Sequence, residues 1–135
     1  VITDVIYIPG KLWPVNDWSL NNVPNLFSEN ERMIVIIDSP FGKVAVAFVG
    51  ATNVGKITLS FDPSLIGNQV CSAIAPCFQH VRYNTPIPIQ IGHRLGSFNL
   101  GSTVILLFER EKLGLSSVLK FGQKVKYGEQ IADLP

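Results

Sequence analysis

Gly101-Ser102-Thr103 stands directly against an apolar run, Val104 to Phe108. A serine hydroxyl can attack the carbonyl of the residue before it, turning that amide into an ester by an N-to-O acyl shift. Glycine at the preceding position leaves the carbonyl unshielded and lets the backbone take strained angles. Removal of the serine α-proton then breaks the chain by elimination and leaves dehydroalanine. Hydrolysis of that product gives a pyruvoyl group at a new amino terminus. Such a carbonyl is an electron sink for covalent catalysis, made from the chain itself. The triplet alone is common, and it equally suits a plain turn at a strand entrance.

Other combinations resemble chemistry less well. Gly50 to Thr58 contains Gly55-Lys56, but Ile57 stands where a phosphate-binding loop needs Ser or Thr, and a strand-like alternation follows instead of a helix. It reads as a turn. Cys71 and Cys77 are separated by five residues, wider than structural zinc sites use, and His80 and His93 add no recognisable spacing, so no metal is expected. Gly122 to Ile131 resembles a lipoyl- or biotinyl-type hairpin with Lys126 near its turn, but lacks the flanking Met of a biotinyl site. Trp13, Trp18 and Phe27 cluster in an irregular, proline-bearing stretch. They either plug a core or form an apolar lip that meets lipid.

The elements that must position these residues follow a period of two. The chain has 135 residues, 47% hydrophobic and 16% charged, with a net charge of +1. One domain with a real core is expected, and no electrostatic footprint for nucleic acid. Only five charges lie between Gly42 and Leu100, which predicts burial or a surrounding less polar than water. Met33–Ile37 and Val44–Val49 read as strands around a turn at Ser39–Gly42. Ile57, Leu59 and Phe61 predict a half-buried strand ending at Asp62-Pro63. Pro86 and Pro88 make Asn84–Ile91 an edge strand or extended loop. Val104–Phe108 predicts a buried strand, and Phe121–Ala132 a strand–turn–strand around Tyr127-Gly128. Helix is expected only in short pieces, near Leu20–Phe27 or Leu113–Leu119, and Leu65–Tyr83 reads as a long loop. The fold class is mainly β: an antiparallel sandwich or barrel-sandwich-like domain with short helices.

Leu100-Gly101-Ser102-Thr103 before an apolar strand closely resembles the self-cleavage motif of the phosphatidylserine decarboxylases. Further blocks support the resemblance in family order. Ile6 to Asn16 is similar to a Tyr-x-Pro-Gly-x-Leu-Phe-x-Val-Asn stretch, and Asn22 to Phe27 with Asn30-Glu31-Arg32 to an Asn-Val-Pro-Asn-Leu-Phe-x-x-Asn-Glu-Arg segment. Val49 to Thr52, Val54-Gly55, and Leu95-Gly96 with Phe98 match others. The bacterial and mitochondrial type resembles this chain most.

The resemblance implies a pyruvoyl cofactor from Ser102, with cleavage at Gly101–Ser102 splitting the single domain 1–135 into 1–101 and 102–135. It implies a Schiff base with phosphatidylserine, loss of CO2 and release of phosphatidylethanolamine. Val15 and Asn16 fall in a block expected to line the headgroup pocket, and the lipid substrate favours Trp13 and Trp18 as lipid-facing. Implied partners are phosphatidylserine, a membrane surface, the family's amino-terminal portion and, in some form, a homodimer. The implied location is peripheral, at a bacterial or mitochondrial inner membrane. The family's upstream Asp and His blocks, which activate the serine, have no counterpart here; His80 and His93 read as structural or surface histidines, and Arg94 stands where the family commonly carries an acid. The chain alone is therefore expected to cleave slowly or not at all. The reading from the other class is a non-catalytic β-sandwich fragment that binds a lipid surface or a protein partner.

Overall fold

The computed structural model describes all residues except 53–55, 68–77, 100–102, 113, 117–118 and 134–135, and the side chains of 114–115. Its centre is an antiparallel sheet of five strands: β1 (Ile2–Ile8), β2 (Arg32–Ser39), β3 (Gly42–Val49), β5 (Gln79–Ile87) and β7 (Thr103–Phe108), in the order β5-β1-β2-β3-β7. A smaller pair, β4 (Ile57–Leu59) and β6 (Gly96–Phe98), forms a second layer. The two-residue strands β8 (Gly114–Leu115) and β9 (Ala132–Asp133) pair near the carboxy terminus. Helices α1 (Asp17–Asn22) and α2 (Leu26–Glu29) are single turns between β1 and β2. The sheets do not close into a barrel. Mainly β with short helices is the fold class expected.

Alternation decides which side chains are buried. Val5 and Tyr7, Met33 and Val35, and Phe48 fall on one face of the large sheet, because successive residues of a strand point to opposite sides. Ile57 and Leu59 close over them from the second layer, and Phe98 tilts against Phe48 at a 5.5 Å centroid separation. The opposite face carries Ile6, Ile34, Ile36, Ala45 and Ile105, all half-buried.

Several expectations are corrected. β1 was not foreseen as a strand, because a register shift between Ile2 and Asp4 breaks its alternation; the bulge puts Ile2, Val5 and Tyr7 on the core side despite their uneven spacing. β7 is not a buried strand. It is a sheet edge, with Leu107 60% exposed and Val104 and Leu106 also open to solvent. Phe121–Ala132 forms turns, with only Ala132 in a strand. Lys120 N–H and Lys126 N–H donate to Gln123 and Glu129 side chains, and the apolar Phe121, Val125 and Tyr127 stay exposed. Helix α1 and helix α2 straddle the expected Leu20–Phe27, and the other predicted helix is replaced at Gly114–Leu115 by β8. Of the Leu65–Tyr83 loop, Gln79–Tyr83 belongs to β5, and 68–77 lie outside the described residues. The charge-poor stretch is not uniformly buried, since β5 exposes alternate residues at its edge.

Two carboxylates tie distant segments. Asp62 accepts from Tyr83 Oη at 2.7 Å and from Ser64; burial pulls the other way, but these bonds hold its carboxyl below the ordinary value. Burial and the Asp62 bond push the Tyr83 hydroxyl up. Asp4 on β1 lies 2.7 Å from His80 Nε2 and 3.1 Å from Arg82 Nε on β5. Burial alone would raise the Asp4 carboxyl, yet the bonds from His80, Thr3 and Arg82 outweigh it and bring it down to about 2. The unfolded chain thus takes up this proton first. The Asp4 contribution is complete above the ordinary value of 3.8 and is lost as pH falls toward 2. Thermal melts from pH 7 to pH 2 should show it: Asp4→Asn lowers Tm at neutral pH and flattens the decline between pH 4 and pH 2.

Candidate functional site

The chain leaves β1 through Pro9-Gly10 and crosses tightly over the end of helix α2. Lys11 N–H donates to Glu29 O and Glu31 N–H to Lys11 O, both at 2.8 Å. A Cβ on Gly10 would come within 2.5 Å of Glu29 O and 2.6 Å of Asn30 C, so only glycine permits this crossing. The segment then reaches Trp13, where a single buried side chain takes over. Asn30, with no exposed surface, accepts from Trp13 N–H at 2.9 Å through Oδ1. Its Nδ2 donates to Trp13 O at 2.8 Å and to Gly50 O at 3.0 Å.

Glu31 extends the same junction. It is buried, and it meets the two glycines on either side of it: a Cβ on Gly50 would stand 3.1 Å from Glu31 Oε2, and one on Gly67 3.0 Å from Oε1. The carboxylate occupies the space that these side chains lack. Gly50 N–H donates to Glu31 O at 2.7 Å, which completes the hold on this loop.

Gly101 and Ser102 lie outside the described residues, as do Cys71 and Cys77. Their flanks are placed. Thr103 opens β7 and pairs with Val49, the residue before Gly50. On the other side, Asn99 N–H donates to Lys56 O at 3.2 Å, next to the end of β6. The stretch between Asn99 and Thr103 therefore runs between two backbone anchors, both on the Val49–Ile57 segment.

The remaining expected site residues have mixed surroundings. Val15 packs against the core, and Asn16 caps helix α1 by accepting from Ser19 N–H at 2.9 Å. Ser19 is fully buried, and its hydroxyl has no partner among the described residues. Trp13 and Trp18 do not plug the core: they are 41% and 66% exposed, and Lys11 Nζ lies 5.9 Å from the Trp13 ring centroid. His80 is held by Asp4 on the opposite edge strand, four strand spacings from β7, or about 19 Å. His93 follows β5 in a turn whose Gln90 O accepts its N–H. Neither histidine, among the described residues, is hydrogen-bonded to Asn99 or Thr103. Among the described residues, no three His, Cys, Asp or Glu side chains are grouped to hold a metal.

A family model described as phosphatidylserine decarboxylase matches residues 1–133. The chain belongs to the phosphatidylserine decarboxylase family. A phosphatidylserine decarboxylase proenzyme of Anaeromyxobacter sp. (strain K) is 45% identical over 130 residues, covering 96% of this chain and 45% of that protein. Those of Myxococcus xanthus and Vibrio cholerae are 38% and 37% identical, covering 96% and 97% of this chain and 44% and 46% of their own lengths. The decarboxylase-family chain thus spans less than half the length of these relatives.

Asn30 and Glu31 were read only as letters in a family block, and their structural role was missed. The available signal was their polar character amid apolar neighbours, which cannot say what a buried amide holds. Asn30→Ala would leave buried groups of Trp13 and Gly50 unpaired, at about 1–3 kcal/mol each, so denaturant melts should show a loss of at least about 3 kcal/mol. Ser19→Ala, which removes a hydroxyl without a partner, should leave stability unchanged or raise it in the same assay.

Proposed function

We propose that this chain carries the self-cleaving part of a pyruvoyl-dependent phosphatidylserine decarboxylase, with Ser102 as the precursor and Gly101–Ser102 as the bond that breaks. The observation that carries this reading is the Leu100–Thr103 motif, strung between the Asn99–Lys56 and Thr103–Val49 anchors in a chain whose relatives are named proenzymes. A carbonyl made from the backbone needs no ligand set, only flanks that stay in place when the chain is cut, and the residues present fit that requirement. Pairing of Thr103–Phe108 with Val44–Val49 would keep the 102–135 product seated on β3 after cleavage. The pyruvoyl group supplies an electron sink for loss of CO2 from phosphatidylserine, giving phosphatidylethanolamine.

The chain's own residues do the holding. Asn30 fixes the Trp13 and Gly50 backbones, and Gly50 follows Val49, the residue that pairs with Thr103. Val15 and Asn16 are proposed to bound the headgroup pocket, and the exposed Trp13 and Trp18 to face lipid. The serine needs a base. With His80 committed to Asp4 on the far edge, that base is assigned to the part of the relatives' length that this chain does not span. That part, phosphatidylserine and an inner-membrane surface, bacterial or mitochondrial, are the proposed partners of a peripheral enzyme; a homodimer is compatible with it. The absence of a histidine beside the cleavage flanks, among the described residues, favours the second reading: a non-catalytic sandwich that binds a lipid surface or partner.

Intact mass under denaturing conditions separates the two. The full-length polypeptide should split into two species at Gly101–Ser102, the shorter carrying a pyruvoyl terminus and remaining with the larger under native conditions. Ser102→Ala should give one uncut mass and no decarboxylation. A wild-type chain that stays whole and inactive would favour the binding module.

A further inference from the structure

A pocket of about 420 Å³ opens at the other end of the core. Phe61, Pro88 and Ile89 contribute its apolar wall above the fully buried Ile2, and His93 and Arg94 also line it. Ile2 is level with Ile37 on β2, five residues along from the Arg32–Val49 pair beside which Thr103 sits. The pocket is therefore about 17 Å along the strands from the cleavage flank. It is a separate site.

The turn that carries its polar groups is built for display. Gln90 O accepts from His93 N–H at 3.1 Å, and Gly92 takes φ +81°, a conformation glycine adopts without strain. Tyr127 Oη donates to Gly92 O at 2.6 Å and pins the turn from outside. Ile91 at its tip is fully exposed. Arg94 carries a fixed charge and His93 a ring N–H, and among the described residues neither side chain has a hydrogen-bond or ion-pair partner. Among the described residues no carboxylate lines the pocket, and that of Asp62 is occupied by Tyr83 and Ser64.

We propose that this turn and pocket form a non-catalytic docking site for the headgroup of an anionic phospholipid in a bilayer. The phosphate would meet Arg94 and His93, the glycerol and upper acyl chain would lie on the apolar wall, and Ile91 would enter the interface. Charge complementarity selects the anion: among the described residues, a cation and a ring N–H donor stand here without a partner or a competing acid. A soluble phosphate would use those two groups but leave both the apolar wall and Ile91 unexplained. A bilayer uses all of them. The inference rests on the lipid-surface part of the function proposed above and needs no pyruvoyl group. If Trp13 and Trp18 touch the same bilayer, two contacts so far apart along the strands lay the strands along its plane.

The test is made on the full-length polypeptide with a polarity-sensitive dye on Ile91→Cys, in a background with Cys71→Ser and Cys77→Ser. Vesicles of phosphatidylglycerol in phosphatidylcholine contain no substrate, so failure of this site and failure of the decarboxylase reading are read separately. The dye emission should shift to the blue on these vesicles and not on pure phosphatidylcholine. Arg94→Glu, and more weakly Arg94→Gln, should raise the lipid concentration for half the shift, by at least about five-fold for the charge reversal. An unshifted dye, a shift indifferent to both Arg94 variants, or a site saturated by glycerol phosphate without any vesicle-induced shift would overturn the proposal.

Discussion

The side-chain amide of Asn30 receives the Trp13 N–H and gives its own two hydrogens to the Trp13 and Gly50 carbonyls. A primary amide sets two N–H donors beside a carbonyl acceptor in one plane, so it can stand in for a strand partner where no strand runs. The irregular crossing after β1 and the loop after β3 both depend on it. Gly10 makes the crossing close enough for the amide to reach, and Glu31 fills the space between Gly50 and Gly67. The crossing after β1 is thus fastened by buried polar contacts to the end of β3, the strand that pairs with β7.

The placement of β7 at a sheet edge has a functional sense that burial would lack. A central strand would need both neighbours to tolerate a break beside it, whereas an edge strand shares its ladder with β3 alone. The bond proposed to break precedes, in sequence, Thr103, where the ladder begins. In a proenzyme this permits a chain break with little loss of the packing that holds the core, which is built from β1, β2, β3 and β4.

Polar groups divide between those that hold the fold and those left available. Asp4, His80 and Arg82 bind β5 to β1, and Asp62 with Tyr83 binds the end of the second layer to the same strand. The pairing that stabilises His80 also removes it from the cleavage strand, at the far side of the sheet. Arg94, His93 and the exposed tryptophans are left facing outward.

The sequence by itself determined the fold class, the β2–β3 hairpin and the family, because alternation, turn residues and contiguous motifs are local signals. For Asn84–Ile91 it left an edge strand or an extended loop open, and the edge strand β5 is Gln79–Ile87. It did not disclose β1, whose bulge hides the period, nor that β7 is exposed, because an apolar strand reads alike whether or not something covers it. It predicted a hairpin at Phe121–Ala132 from its residues alone, where among the described residues no strand covers Phe121, Val125 and Tyr127. Only the tertiary structure decided that Asn30 joins Trp13 to Gly50 and that Asp4 claims His80. Those contacts span 17 to 76 positions of chain, and hydrogen bonds at that separation are set by how strands order in a sheet rather than by any neighbouring residues.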